Sequence, residues 1–229
     1  MALAASGALF VVSATNSQGE DLRPGRTTDL AELVRVESAD LSELVARAGR
    51  LNQEIDALSG EIDDAQVTRA RERAERARGP AGLEPVSGEA VTVTLTDSPE
   101  ELRDEATDDN GLVVHEQDIT AVVNAMWDAG AEAVTVQGRR VISTTSFKCA
   151  GSSVEINGRY YPQPFVISAI GDTERIQARI DSDRYITGYR IQSEMESIQI
   201  GWGMDVKQQL TAPAYDGLLD LRHAEAIPG

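Results

Sequence analysis

The chain has 229 residues, room for one or two domains. Its formal net charge of -17 excludes a surface built to attract nucleic acid or anionic lipid, since both select basic faces. Cys149 is the only cysteine, which excludes an intrachain disulfide and a cysteine-based metal cluster.

The chain opens with MALAASGALFVVSATNSQ. Ala2 to Ala14 is uncharged and mostly apolar. As a helix this run covers about 20 Å, short of the roughly 30 Å hydrocarbon core of a bilayer. No Lys or Arg precedes it, so the charged start of a signal peptide is missing. Three readings stand: part of a transmembrane helix, a secretory signal cleaved after Val12-Ser13-Ala14, or an apolar tail on a soluble protein.

Composition changes at about Thr28. Leu30, Val34, Glu37, Leu41, Leu44, Ala48, Leu51, Ile55, Leu58, Ile62 and Ala65 follow at alternating spacings of four and three, and all but Glu37 are apolar. This is the seam of a coiled coil. Thr28 or Asp29 caps its start. So narrow a stripe is not stable as a lone helix in water, and a second copy of the chain is the simplest partner. The spacing therefore predicts a homo-oligomer, most simply a dimer. Arg69 to Arg78, RARERAERAR, is either a patch for nucleic acid or phospholipid or a salt-bridged helix end. The (i, i+4) pairs Glu72–Arg76 and Arg71–Glu75 favour the helix end. Gly79-Pro80 stops it, and 79–89 reads as a linker.

Residues 90–229 form the globular part. AVTVTLTD (90–97) alternates as a strand, and the acidic stretch 98–111 reads as a surface loop. Its DDNG lacks calcium-loop spacing, and no metal is assigned to it. Ile119, Val122, Val123 and Met126 mark the buried face of a helix over 117–129, which Gly130 stops. AEAVTVQ is a strand, Gln137-Gly138 a turn, and 139–149 a strand running back. Asn157-Gly158 signals a hairpin, PFVISAIG a strand, Asp172 or Thr173 a helix start, and 198–210 the last strand. The order is that of an α+β fold, a ferredoxin-like split βαβ plait with an inserted β-hairpin, preceded by a long coiled-coil helix.

Chemistry is sparse. His115 and His223 are the only histidines; two of them with one cysteine make no convincing zinc set. Ser143, Ser146 and Cys149 carry no nucleophile motif, His115 reads as a structural residue entering the helix, and no phosphate loop is present. No enzyme activity and no cofactor are expected. Arg139, Arg140, Lys148 and Arg159 cluster on turns and strand ends, either as an anion- or partner-binding edge or as ordinary solvated hairpin charge. The second reading is preferred. Arg139 and Arg140 are neighbours in a strand, so they face opposite ways and form no single clamp. Asn124 and Trp127 lie on the helix, as a partner surface or as a capped core edge.

His115, Asp118 and Ile119, then VVNAMWDAGAEAVTVQGRRV, KCAG, VEINGRYYPQPFVISAIGD and APAYDG, resemble the bacterial domain of unknown function 881. That family includes the YlxX and YlxW proteins of Gram-positive bacteria. The resemblance implies an N-terminal membrane anchor, a coiled coil and an extracytoplasmic α/β domain. It also implies an envelope protein as partner and a link to cell division. On it, residues 1–15 are expected to be part of a transmembrane anchor, 16–78 the coiled coil, 79–89 the linker and 90–229 the plait. The expected function is that of a non-catalytic interaction or scaffold protein, with a small-ligand sensor as the alternative.

Overall fold

The computed structural model describes residues 26–60, 64–105, 110–151, 153–217 and 219. The chain divides into two units, 1–56 and 57–229. Helix α1 (Arg26–Gly60) is the described part of the first and carries over into the second. Leu44, Leu51 and Ile55 on it are 61%, 50% and 62% exposed. Helix α2 (Ala65–Arg78) has its own start: the Asp64 carboxylate accepts the Gln66 and Val67 amides. The single run expected through Ala65 is thus two helices, with α1 ending at Gly60. Glu72 and Arg76 lie 3.9 Å apart along α2.

The second unit is mixed α+β with antiparallel sheets. Its elements after α2 are β1 (Val86–Thr96), α3 (Glu100–Glu105), α4 (Glu116–Asp128), β2 (Ala133–Val136), β3 (Arg139–Val141), β4 (Phe147–Ala150), β5 (Ser153–Ile156), β6 (Arg159–Pro162), β7 (Phe165–Ile170), α5 (Thr173–Ser182), α6 (Arg184–Ser193) and β8 (Gly201–Ala212). Five strands form one sheet in the order β3-β2-β7-β1-β8, and β4-β5-β6 form a second. Alternation sets the faces of the large sheet. Val91, Val93 and Leu95 share a buried cluster with Ile167 and Val134, with Ile119, Val122 and Met126 of α4, with Ile176 and Ile180 of α5, and with Ile186 of α6. At about 25 cal/mol per Å2 this burial is the main stabilising term.

Part of the opposite face is buried too, beside an irregularity in the β1–β8 pair. The β1–β8 register shifts between Gly88 and Ala90. Such a bulge bends a strand pair, and a Cβ on Gly88 would sit 3.0 Å from Ile170 Cγ2. Val86 and Leu210 thereby pack on Ala90, Ala133, Ile170 and Ala212. The stretch expected to be a free linker already belongs to the domain: β1 begins at Val86, and the Tyr215 amide donates to Gly82 O at 2.8 Å.

Three further expectations are corrected. The acidic loop carries α3, whose first turn holds Glu100 and Glu101, favourable at the positive helix end. Residues 139–149 are two strands in two sheets. Thr145 Oγ1 accepts the Ile142 amide, and the Thr145 amide donates to Ile142 O, so the run of hydroxyl residues turns the chain. The membrane location is also overturned: among the described residues no helix is long and apolar enough to cross a membrane. The stretch 1–15 read as an anchor lies outside the described residues.

Candidate functional site

His115 and the groups around it are held in local structure. His115 is the residue before α4, and its Nε2 lies 3.1 Å from Asn110 Oδ1. Its amide donates to Asp118 Oδ2 at 2.7 Å. Asp118 is buried, and its other oxygen accepts the Tyr185 hydroxyl at 2.6 Å. Burial and this bond to a carboxylate push the Tyr185 phenol up to about 12. The Cys149 thiol accepts the Glu116 amide at 3.2 Å, while the Cys149 amide donates to the Glu116 carboxylate. That backbone donor holds Glu116 below the usual carboxylate range. Burial, with Glu116 and Asp118 nearby, pushes the Cys149 thiol up, away from the reactive thiolate. Sequence reasoning missed Asp118 and Tyr185 as a pair because they are far apart in the chain.

Arg139 and Arg140 part company. The Arg139 guanidinium pairs with Asp216 at the sheet edge. Arg140 is 4% exposed, and its Nη1 donates to Glu84 O at 3.1 Å and Pro213 O at 3.3 Å. Those carbonyls flank the bent end of β1 and β8, so Arg140 pins that end to β3. Burial lowers its pKa, but a guanidinium stays charged. Lys148 pairs in register with Glu155, and Arg159 with the adjacent Ile156, so the two point to opposite faces of the small sheet. The four basic residues therefore do not converge on one edge. Asn124 and Trp127 share the outer face of α4, both exposed.

A hollow is lined by Leu95, Asp118, Val122, Tyr185, Tyr189 and Trp202. It has no interior space for even one water molecule, and ligand pockets ordinarily run to several hundred Å3. Among the described residues no His, Cys, Asp or Glu group is placed to hold a metal.

Two surfaces are left open among the described residues. One is the row of α1 leucines and isoleucine. The other is β8, which ends the large sheet and has no described strand on its outer side. Trp202, Met204 and Val206 lie opposite Leu95, Val93 and Val91, hence on the helix-covered face, yet Val206 is 44% exposed. The helix layer stops short of it.

The family description of a bacterial protein of unknown function, DUF881, matches residues 73–225. The chain belongs to this family. Its match begins within α2 and takes in both sheets. Among similar proteins is the UPF0749 protein MT1871 of Mycobacterium tuberculosis (strain CDC 1551 / Oshkosh), 27% identical over 99% of this chain and 76% of its own length. The UPF0749 protein YlxW of Bacillus subtilis (strain 168) is 42% identical over 39% of this chain and 38% of its own. A crystal structure of an uncharacterized conserved protein from Mycobacterium tuberculosis covers 68% of this chain and 99% of its own, at TM-score 0.48 and 20% identity. These DUF881 relatives bring no named activity.

Proposed function

We propose that this DUF881 protein is a non-catalytic, self-associating interaction protein whose α1 packs its apolar seam against a second copy. The observation that carries this reading is the half or greater exposure of Leu44, Leu51 and Ile55 along one 35-residue helix. Burying one such side chain is worth about 1.5–3 kcal/mol, so a partner helix recovers far more than any surface ion pair would. The α/β unit is read as a split βαβ plait. The order β8-β1-β7-β2, with α4 between β1 and β2 and α5–α6 between β7 and β8, supports this. The polar groups support a non-catalytic role: His115, Asp118 and Cys149 each serve a helix start or a strand contact.

Light scattering on the full chain tests self-association. A mass of two or more copies that falls in the triple variant Leu44→Ser, Leu51→Ser, Ile55→Ser is expected. A monomer at high micromolar concentration, or an unchanged mass in a triple variant that keeps its helical circular dichroism, would sink the proposal.

A further inference from the structure

We infer that strand β8 is a second self-association surface, pairing antiparallel with β8 of another copy about a two-fold axis at Val206. The inference goes beyond the α1 seam and rests on β8 alone. An edge strand presents a row of unpaired N–H and C=O groups, and proteins normally shorten, charge or cover it. Here the edge is twelve residues long, GWGMDVKQQLTA, and it carries only two charges, Asp205 and Lys207. Those charges cancel in a chain of net charge -17. A neutral strip is where two copies of so acidic a molecule repel least.

The placement of the two charges selects the occupant. Asp205 and Lys207 flank Val206 and share one face, 3.9 Å apart. In a two-fold antiparallel pair centred on Val206, residue 205 lies opposite residue 207 of the second copy, and the reverse. Each carboxylate then meets one ammonium of the other copy, giving two such pairs about the axis, the favourable cross-strand arrangement. On the other face Val206 lies opposite its own equivalent. Its exposed side chain, which the helix layer leaves open, is thereby covered. Met204 lies opposite Gln208. Beyond Lys207 the bulge opposite Gly88 to Ala90 bends the strand away, which confines the pairing to these central residues. An isologous contact of this kind closes on itself and does not propagate along the edge.

Cysteine cross-linking of the full chain in a Cys149→Ser background reads the register directly. Opposed residues of an antiparallel pair lie about 4.5–5.5 Å apart at Cα, within disulfide reach. Val206→Cys is expected to form a disulfide dimer under mild oxidation, and Met204→Cys is not. In the Val206→Cys protein, Asp205→Lys places two ammonium pairs in opposition and should weaken cross-linking about tenfold. Adding Lys207→Asp should restore it. Equal cross-linking at 204 and 206, no cross-linking at 206, or a double swap that fails to rescue would overturn the inference. Loss of the α1 seam alters the mass by light scattering. The Val206→Cys cross-link and its charge swap read β8 pairing alone, whatever the mass, so the two failures are separable.

Discussion

Replacing Arg140 with alanine strips the donor from the carbonyls of Glu84 and Pro213 and opens a void beside Thr135, its register partner. Hydrogen bonds from a charged donor contribute about 1.5–3 kcal/mol, so a stability loss of about 2 kcal/mol is expected in urea unfolding. Lysine should recover part of the loss, because both carbonyls are reached from the single Nη1, which an ammonium can replace. An Arg140→Ala protein as stable as the parent would show that the bent end holds without its pin. Tyr185 gives a pH signature. Its folded phenol titrates near 12 against an ordinary 10.0. The pair with Asp118 therefore contributes fully below pH 10.0 and is lost as the pH climbs through about 12. Burial raises the Tyr189 and Tyr215 phenols as well, so Tyr185→Phe should remove only part of the high-pH tyrosinate absorbance, the part that rises near pH 12. At this scale the sequence was a partial guide. Two adjacent arginines had to face apart, but nothing local said that one would be buried against main-chain carbonyls from both ends of the domain.

Among the elements, α5 and α6 meet at Asp183, which follows one helix and caps the next. Its carboxylate accepts the Tyr185 and Ile186 amides at 2.9 and 3.2 Å and pairs with Arg179 at 3.0 Å. Burial raises its pKa, but these donors together outweigh it and hold the group below 3.8. The stability it contributes is present above pH 3.8 and disappears as the pH falls through the lowered value. Asp183→Ala should cost about 1 kcal/mol at neutral pH, and thermal melts of the two proteins should converge in strong acid. In α1, a Cβ on Gly49 meets nothing within 4 Å. Gly49→Ala should therefore stabilise the helix by about 1 kcal/mol, read as a higher melting temperature by circular dichroism. The same change at Gly130, where φ is +84°, should destabilise instead. The α5 start at Asp172, the Gly130 stop and the Asn157-Gly158 turn are legible because they are written in adjacent residues, whereas α1 is already helical at Arg26, ahead of the cap expected at Thr28 or Asp29. The break between α1 and α2 and the splitting of 139–149 were not: a seven-residue repeat continues on paper across Gly60, and β propensity does not say which sheet a strand joins.

The whole molecule carries a net charge of -17, and every copy added to an assembly brings the same sign. Salt screens that repulsion over about 10 Å at 0.1 M. Self-association should therefore strengthen as ionic strength rises, with sedimentation or light scattering as the readout; weakening with salt would point to ion pairs as the dominant contacts. The sequence by itself determined the acidic character, the absence of an intrachain disulfide, the apolar stripe of α1, the α5 cap at Asp172 and the alternating strands, because composition and short-range periodicity are local properties. It also carried the family signature of the DUF881 domain. Only the tertiary structure decided that the sheet runs β3-β2-β7-β1-β8, that a bulge interrupts the β1–β8 pair, and that Arg140 is buried against carbonyls at that end. It alone left β8 as the end strand among the described residues, with Asp205 and Lys207 on one face. Those outcomes depend on which distant segments meet, and burial there is set by the summed packing of residues that no local pattern links.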